Sequence, residues 1–183
     1  MDLSKQLVEQ CRQGDRKAQY ELYAMYARAM FNVSCRIIPD RMEAEDAMQE
    51  AFFKAFRKID SFRNEVTFGA WLKRIVVNTC LDHLKQKKLQ LISIDEAPQV
   101  TGVIDNSEEF EPESVEQVKQ AIEKLPDGYK LVITLRLIEE LEYEEIAEML
   151  GVEQSTVRSQ YTRARQKLLE TIKTKQVSRY GNI

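Results

Sequence analysis

Three observations predict an all-α fold of two small helical domains joined by an acidic linker. Apolar residues recur at helical spacing through most of the chain. No stretch alternates apolar and polar residues as a half-buried strand would, and there is no internal repeat. Glycine and proline are scarce, 6 and 4 among 183 residues. With 43% hydrophobic and 31% charged residues the composition is that of a folded chain rather than a disordered or fibrous one.

The elements follow in order. A first helix carries Leu3, Leu7, Val8 and Cys11 on one face and ends near Gly14 and Asp15. A second, from about Lys17 to Ile38, turns Leu22, Tyr26, Met30, Val33 and Ile37 inward and stops at Pro39. A third, about Met42 to Ile59, has a core stripe of Ala44, Ala47, Met48, Ala51, Phe52, Ala55 and Ile59. Its other face carries Asp46, Gln49, Glu50, Phe53, Lys54 and Arg57, which strands one large aromatic among charges. After a loop from Asp60 to Thr67, a fourth helix from Phe68 to about Lys88 buries Phe68, Leu72, Ile75, Val76 and Thr79. Its outward residues are Arg74, Asn78, Leu81 and Lys85, with Trp71 at the margin.

Leu89 to Glu113 holds Pro98, Gly102 and Pro112, has no sustained period, and is long for a connection within one domain, so it reads as a linker. The expected division is 1–90, 91–113 and 114–183. In the second domain Val115, Val118, Ala121, Ile122 and Leu125 share a helical face, and Pro126 opens a helix that ends near Leu141.

The net charge of −3 conceals a separation of sign. Between Leu89 and Val118 there is no Lys or Arg, while acidic residues recur from Asp95 to Glu116. Basic residues gather at Lys73, Arg74, Lys85, Lys87 and Lys88, and again from Arg158 through Arg163, Arg165 and Lys167 to Lys175. Phosphates would dock at those two places.

Cys11, Cys35 and Cys80 have neither zinc-site nor redox-motif spacing and are expected to be core thiols; no metal or other cofactor is implied. The single histidine, His83, falls toward the core side of its helix and has no nucleophile at a recognisable spacing, so the chain is not read as an enzyme. No apolar run is long enough to cross a bilayer, and the first residues lack a basic segment followed by an apolar one; a cytoplasmic protein without membrane insertion is expected.

The segment from Tyr143 to Lys167 has helix-turn-helix spacing. Ile146, Ala147 and Leu150 pack inward, Gly151 permits the turn, Val152 plugs the corner, and Ser155 is placed to cap the second helix. Val157, Tyr161, Ala164 and Leu168 bury one face of that helix. The outward face then holds Ser155, Ser159, Thr162, Arg163 and Gln166, flanked by Thr156, Arg158, Arg165 and Lys167. Hydroxyl and amide groups can meet base edges, and arginine can fork onto guanine or phosphate. The preceding helix is acidic, with Glu144, Glu145 and Glu148, so only the second suits DNA. This motif identifies a DNA binder but not its class, and a stand-alone repressor or activator stays open at this point.

Asp46-Ala-Met-Gln-Glu50-Ala-Phe-Phe-Lys-Ala-Phe56, then Phe68-Gly-Ala-Trp71-Leu-Lys-Arg74-Ile-Val-Val-Asn78 with Leu81 and Asp82, resembles region two of the bacterial sigma factors. Tyr143-Glu-Glu-Ile-Ala, Thr156-Val-Arg158-Ser159 and Arg163-Ala-Arg165 are similar to region four of the same family. Possession of these two regions alone resembles the extracytoplasmic-function subfamily. The resemblance implies a factor that binds core RNA polymerase, directs it to promoters and helps open the DNA, with an anti-sigma protein as a further partner. It implies that Asp46, Gln49, Glu50, Phe53 and Arg57 face the polymerase. It implies that Ser61, Phe62, Arg63 and Asn64 wall a pocket for an unstacked base, with Phe62 the stacking platform, and that Trp71, Arg74, Asn78, Lys85 and Lys88 hold the adjacent strand. The helix-turn-helix residues would read the upstream promoter element, and the acidic linker would run through channels that otherwise hold nucleic acid, or serve as a plain tether. Gln160 stands where relatives often carry a basic residue, and Lys85 near where they carry arginine.

Overall fold

Asp15 and Asp40 set where the two long helices of the first unit begin. The Asp15 carboxylate accepts from the backbone N–H of Lys17 at 2.7 Å and of Ala18 at 3.3 Å, and that of Asp40 accepts from Glu43 at 3.0 Å. Each cap satisfies backbone donors left over at a helix start, worth about 1 kcal/mol. The computed structural model describes residues 3–86 and 115–180, with only the backbone of the last helix beyond Ile172. Lys87, Lys88, the linker 91–113 and the side chains of Lys173 and Lys175 lie outside the described residues.

The chain divides into two compact units, Met1–Leu89 and Gln90–Ile183. The first contains α1 (Leu3–Arg12), α2 (Arg16–Ile37), α3 (Arg41–Arg57), a short 3-10 turn (Ile59–Ser61) and α4 (Phe68–Gln86). Helix α2 packs against each of the other three, and α3 lies along α4. Every residue of the expected α3 stripe is buried, from Ala44 to Ala55, and Ile59 follows from the 3-10 turn. Burial of each large apolar side chain contributes roughly 1.5–3 kcal/mol.

Some expectations about the helices of this unit fail, and Ile75, expected to be buried, is half-buried. Leu3 is 56% exposed, because as the first residue of α1 it has no preceding turn for its side chain to lie over. Leu81 is buried at 1%, not outward. It stands only ~20° around the helix from Arg74, at the edge of the exposed arc, where a leucine folds into the seam while charged neighbours extend to water.

The second unit contains α5 (Val115–Ile122), α6 (Asp127–Ile133), a π-helical turn (Thr134–Ile138), α7 (Tyr143–Leu150) and α8 (Gln154–Tyr180). Its core joins Ala121, Ile122, Leu125 and Ile133 to Ala164, Leu168 and Ile172 of α8, with Val118, Tyr129 and Tyr161 packed against it. Val115, the first residue of α5, is exposed. The helix expected from Pro126 to Leu141 is α-helical only to Ile133. It then widens, with the Glu139 N–H donating to the Thr134 carbonyl at 2.9 Å, and Glu140 takes a left-handed φ of 58°. Among the described residues there is no strand, and no helix is long and apolar enough to cross a membrane.

Candidate functional site

On α3, Asp46, Gln49, Glu50, Phe53 and Arg57 are all exposed, and Phe53 is open to solvent over 63% of its surface. The Arg57 guanidinium carbon lies 5.6 Å from the Phe53 ring centroid, so the aromatic is stacked on one cation and otherwise uncovered. Glu50 draws two basic groups to the seam with α4. Its carboxylate is 2.8 Å from the Lys54 ammonium and 3.8 Å from His83 Nε2, and Lys54 donates to the Thr79 hydroxyl at 3.4 Å. His83 is half-buried at that seam rather than in the core. Met42 continues the same row one turn before Asp46 and is 78% exposed; its spacing from Gln49 and Phe53 is the signal that the sequence reading passed over.

The loop before α4 is held from within. Phe62 is 3% exposed, so the expectation of an exposed stacking platform is corrected: its ring packs edge-on to Phe68 at 5.7 Å and against Trp71 at 5.3 Å. Three aromatics close together gain more from mutual packing than a lone ring gains from water. Ser61, Arg63 and Asn64 are exposed around this anchor, and Asn64 has a φ of 59°, a left-handed conformation asparagine tolerates better than most residues. Ser61 donates to the Lys58 carbonyl at 2.7 Å, and the Thr67 hydroxyl accepts from the Ala70 N–H at 3.2 Å, capping α4. Arg74, Asn78 and Lys85 are exposed on α4 and Trp71 is half-buried, so of the described members of the expected group only the ring of Phe62 is closed off from solvent; Lys88 is not described.

The helix-turn-helix is built around Gly151, whose φ of 71° ends α7. The Val152 N–H reaches back to the Ala147 carbonyl at 3.1 Å, a bond pattern that requires the left-handed residue between them. Glu145 accepts from the Glu142 N–H at 3.0 Å and fixes the start of α7. Ile146, Val157 and Ala164 are fully buried, while Val152 and Tyr161 are half-buried. Ser155 is not the cap of α8: the helix starts one residue earlier at Gln154, and the Thr156 and Val157 N–H groups bond the Glu153 carbonyl.

Ser155, Arg158, Ser159, Thr162, Arg165, Gln166 and Lys167 are exposed on α8, and Thr156 and Arg163 are half-buried at its edge. The Ser159 hydroxyl donates to the Ser155 carbonyl and that of Thr162 to the Arg158 carbonyl, each at 2.9 Å. Both protons are thereby used on the helix, and the outward lone pairs are acceptors. Tyr143 organises the basic flank: the guanidinium carbons of Arg136 and Arg158 lie 4.9 Å and 5.3 Å from its ring, and Tyr161 meets it edge-on at 5.7 Å. Burial pushes the Tyr161 hydroxyl above its usual pKa, with the neighbouring Tyr143 adding to the shift. Arg136 also donates to the Leu141 carbonyl at 3.2 Å, tying the π turn to α7.

Gln160 is half-buried and its side-chain carbonyl oxygen is enclosed without a hydrogen-bond partner, so it is turned partly away from the outward face. Of the acidic residues before α7, Glu139 is buried at 2%, while Glu140 and Glu142 are exposed. The cysteines also divide. Cys11 and Cys80 are buried, but Cys35 is exposed rather than a core thiol.

Residues 22–90 match the family model for Sigma-70 region 2, and residues 115–168 that for Sigma-70, region 4. The chain is 36% identical over 171 residues to the ECF RNA polymerase sigma-E factor of Escherichia coli, covering 87% of this chain and 89% of the relative. It is 33% identical over 173 residues to the RNA polymerase sigma-H factor of Pseudomonas aeruginosa, covering 88% and 90%. Against the ECF RNA polymerase sigma factor SigW of Bacillus subtilis the identity is 30% over 180 residues, covering 92% and 96%. Among solved structures, CnrH in complex with the cytosolic domain of CnrY has a TM-score of 0.56 at 24% identity, covering 94% of this chain and 99% of that one. The sigma factor RpoE of Bartonella quintana, in complex with the anti-sigma factor NepR, has a TM-score of 0.55 at 23% identity, covering 84% and 96%. Two helical units, the second built on a helix-turn-helix, and relatives matched over nearly their whole length place the chain in the extracytoplasmic-function family of RNA polymerase sigma factors, which bind core polymerase and direct it to promoters.

Proposed function

We propose that the two units divide the work of promoter recognition. The α3 row of Met42, Asp46, Gln49, Glu50, Phe53 and Arg57 seats the chain on core polymerase. Ser61, Arg63 and Asn64 with Trp71, Arg74, Asn78, Lys85 and Lys88 meet the downstream element as its strands part. Helix α8 lies in the major groove of the upstream element, reading bases with Ser155, Ser159, Thr162, Arg163 and Gln166 and holding phosphates with Thr156, Arg158, Arg165 and Lys167. The acidic linker 91–113 joins them and repels DNA elsewhere. The observation that carries this reading is the exposed Phe53 on an otherwise charged row, because a large ring left in water on a helix whose opposite face is fully packed marks a surface that a partner covers.

Taking a base out of the stack costs a few kcal/mol. With Phe62 committed to packing inside the unit, polar groups of the loop and the half-buried Trp71 supply the compensation. The place of action is the cytoplasm, where the polymerase is. The two solved relatives are each in complex with a second protein, in one case a named anti-sigma factor, which supports a protein of that kind as the regulator of this chain.

Reconstitution tests the whole reading. The purified chain added to core polymerase is expected to give run-off transcription from start sites mapped during its overproduction. Absence of binding to core polymerase at moderate salt would sink it.

A further inference from the structure

Arg12 is the last residue of α1, and its guanidinium crosses to the loop before α4, where Nη2 donates to the carbonyl oxygen of Phe62. Nη1 pairs with the Glu9 carboxylate at 3.1 Å, and Nε is buried without a partner. Leaving a cationic N–H unpaired is unfavourable, and a carbonyl on an open loop would be satisfied by water. The arrangement therefore makes sense as a constraint on the loop rather than as a source of net stability. Below the same carbonyl, the Phe62 ring is clamped by Phe68 and Trp71. Helix α1 also holds the next turn: Ser4 Oγ and the Tyr26 hydroxyl are 3.1 Å apart, and the Tyr26 ring packs on Phe68 at 5.4 Å. A cavity of about 470 Å³ opens between α1 and the loop, with Ser4 and Val8 on one wall and Asn64 and Val66 on the other. This helix precedes the residues, 22–90, that match the region 2 family model.

We propose that Arg12 is a positioning residue for promoter opening: by fixing the backbone at Phe62, it presents Arg63 and the left-handed Asn64 in the shape that meets the unpaired strand. A left-handed residue persists only where its surroundings hold it, and the Phe62 carbonyl lies two residues before Asn64. Arg12 itself touches no DNA. The inference rests on the reading of this loop as the strand-contacting one.

The chain has one tryptophan, Trp71, whose ring is 5.3 Å from that of Phe62, so loop position has an intrinsic reporter. Arg12→Ala in the full chain is expected to red-shift Trp71 emission and raise its quenching by acrylamide. In holoenzyme, the preference for a forked promoter DNA with a single-stranded downstream element over the same fork with that element scrambled should fall about fivefold. Affinity for core polymerase should stay at the wild-type value, and Arg12→Lys, which retains a charged donor, should recover part of the preference. Wild-type emission and quenching in Arg12→Ala would overturn the proposal, as would an undiminished preference for the fork. If Arg12→Ala fails to fold, Arg12→Gln and Arg12→Lys carry the same two measurements, with changes in the same direction expected and none overturning it. A wild-type holoenzyme that shows no preference between the two forks overturns the reading of the loop itself, and is distinguished by being seen without any substitution.

Discussion

The guanidinium of Arg158 lies 5.3 Å from the ring centroid of Tyr143, joining the first residue of the supporting helix to the basic flank of the recognition helix. Arg136 stacks on the same ring from the π turn at 4.9 Å. One aromatic thus limits the freedom of a cation proposed to hold phosphate, and less entropy is lost when DNA arrives. Tyr143→Phe preserves the ring and should leave promoter binding unchanged. Tyr143→Leu should cost roughly 1 kcal/mol of stability in the second unit and weaken binding several-fold, read by thermal melting and by fluorescence anisotropy on a promoter duplex.

The hydroxyls of Ser159 and Thr162 are committed as donors to the helix backbone, so each offers DNA an acceptor. Amino groups of adenine and cytosine are the matching partners in the major groove. Arg163, beside them, is the residue suited to guanine. Arg163→Ala is expected to lose about 1–3 kcal/mol on the specific promoter and much less on random duplex, whereas Lys124→Ala, an exposed lysine on the far side of α5 in the chain, should change neither. Equal losses on both DNAs would refute the assignment to bases.

What the sequence made legible follows from how strictly periodicity constrains a residue. The α3 stripe and the outward face of α8 are set by strong helical repeats: the stripe is buried from Ala44 to Ala55, and the α8 face is open at Ser155, Ser159, Thr162 and Gln166, with Arg163 half-buried at its edge. Phe62 lies in a loop, where no period says which way a ring points; only its nearness to Phe68 and Trp71 hinted at the cluster that buries it. Leu81 misled because a helical wheel treats a boundary leucine and a boundary lysine alike, although one seeks the seam and the other water. The π turn at Thr134–Ile138 leaves no mark in the apolar pattern, since it changes the backbone bonds and not the residue types. The bond from Arg12 to the Phe62 carbonyl joins residues far apart in the chain, so only a structure reveals it.

Thiol chemistry separates the cysteines. Cys35 is exposed, and Cys11 and Cys80 are buried, so N-ethylmaleimide at pH 8 should label Cys35 alone until the first unit unfolds. Burial, with the Asp15 carboxylate adding to it, pushes the Cys11 thiol up to about 11. A raised folded pKa favours the protonated thiol, so this contribution is intact below the ordinary thiol range and is lost as pH rises through about 11. The melting temperature of the first unit should therefore fall above about pH 9. Cys11→Ala, whatever it costs at neutral pH, should flatten that part of the decline; an unchanged slope would show that Cys11 is not its source.

Phe53 decides whether the α3 row is a docking surface or a solvated helix face. Its ring is uncovered except for the Arg57 guanidinium, so its removal takes nothing from the core stripe on the opposite side. Phe53→Ala is expected to shift the melting temperature by no more than a surface substitution does and to weaken binding to core polymerase about tenfold or more, as for an aromatic anchor at the centre of an interface. Met42→Ala, at the end of the row, should weaken it less. Arg57→Ala leaves the ring free and tests whether stacking holds Phe53 ready for its partner; a loss smaller than that of Phe53→Ala places the contact on the ring itself. Binding measured by competition with a labelled sigma factor for core polymerase gives all three values, and a Phe53→Ala chain that competes as well as wild type would return this face to solvent.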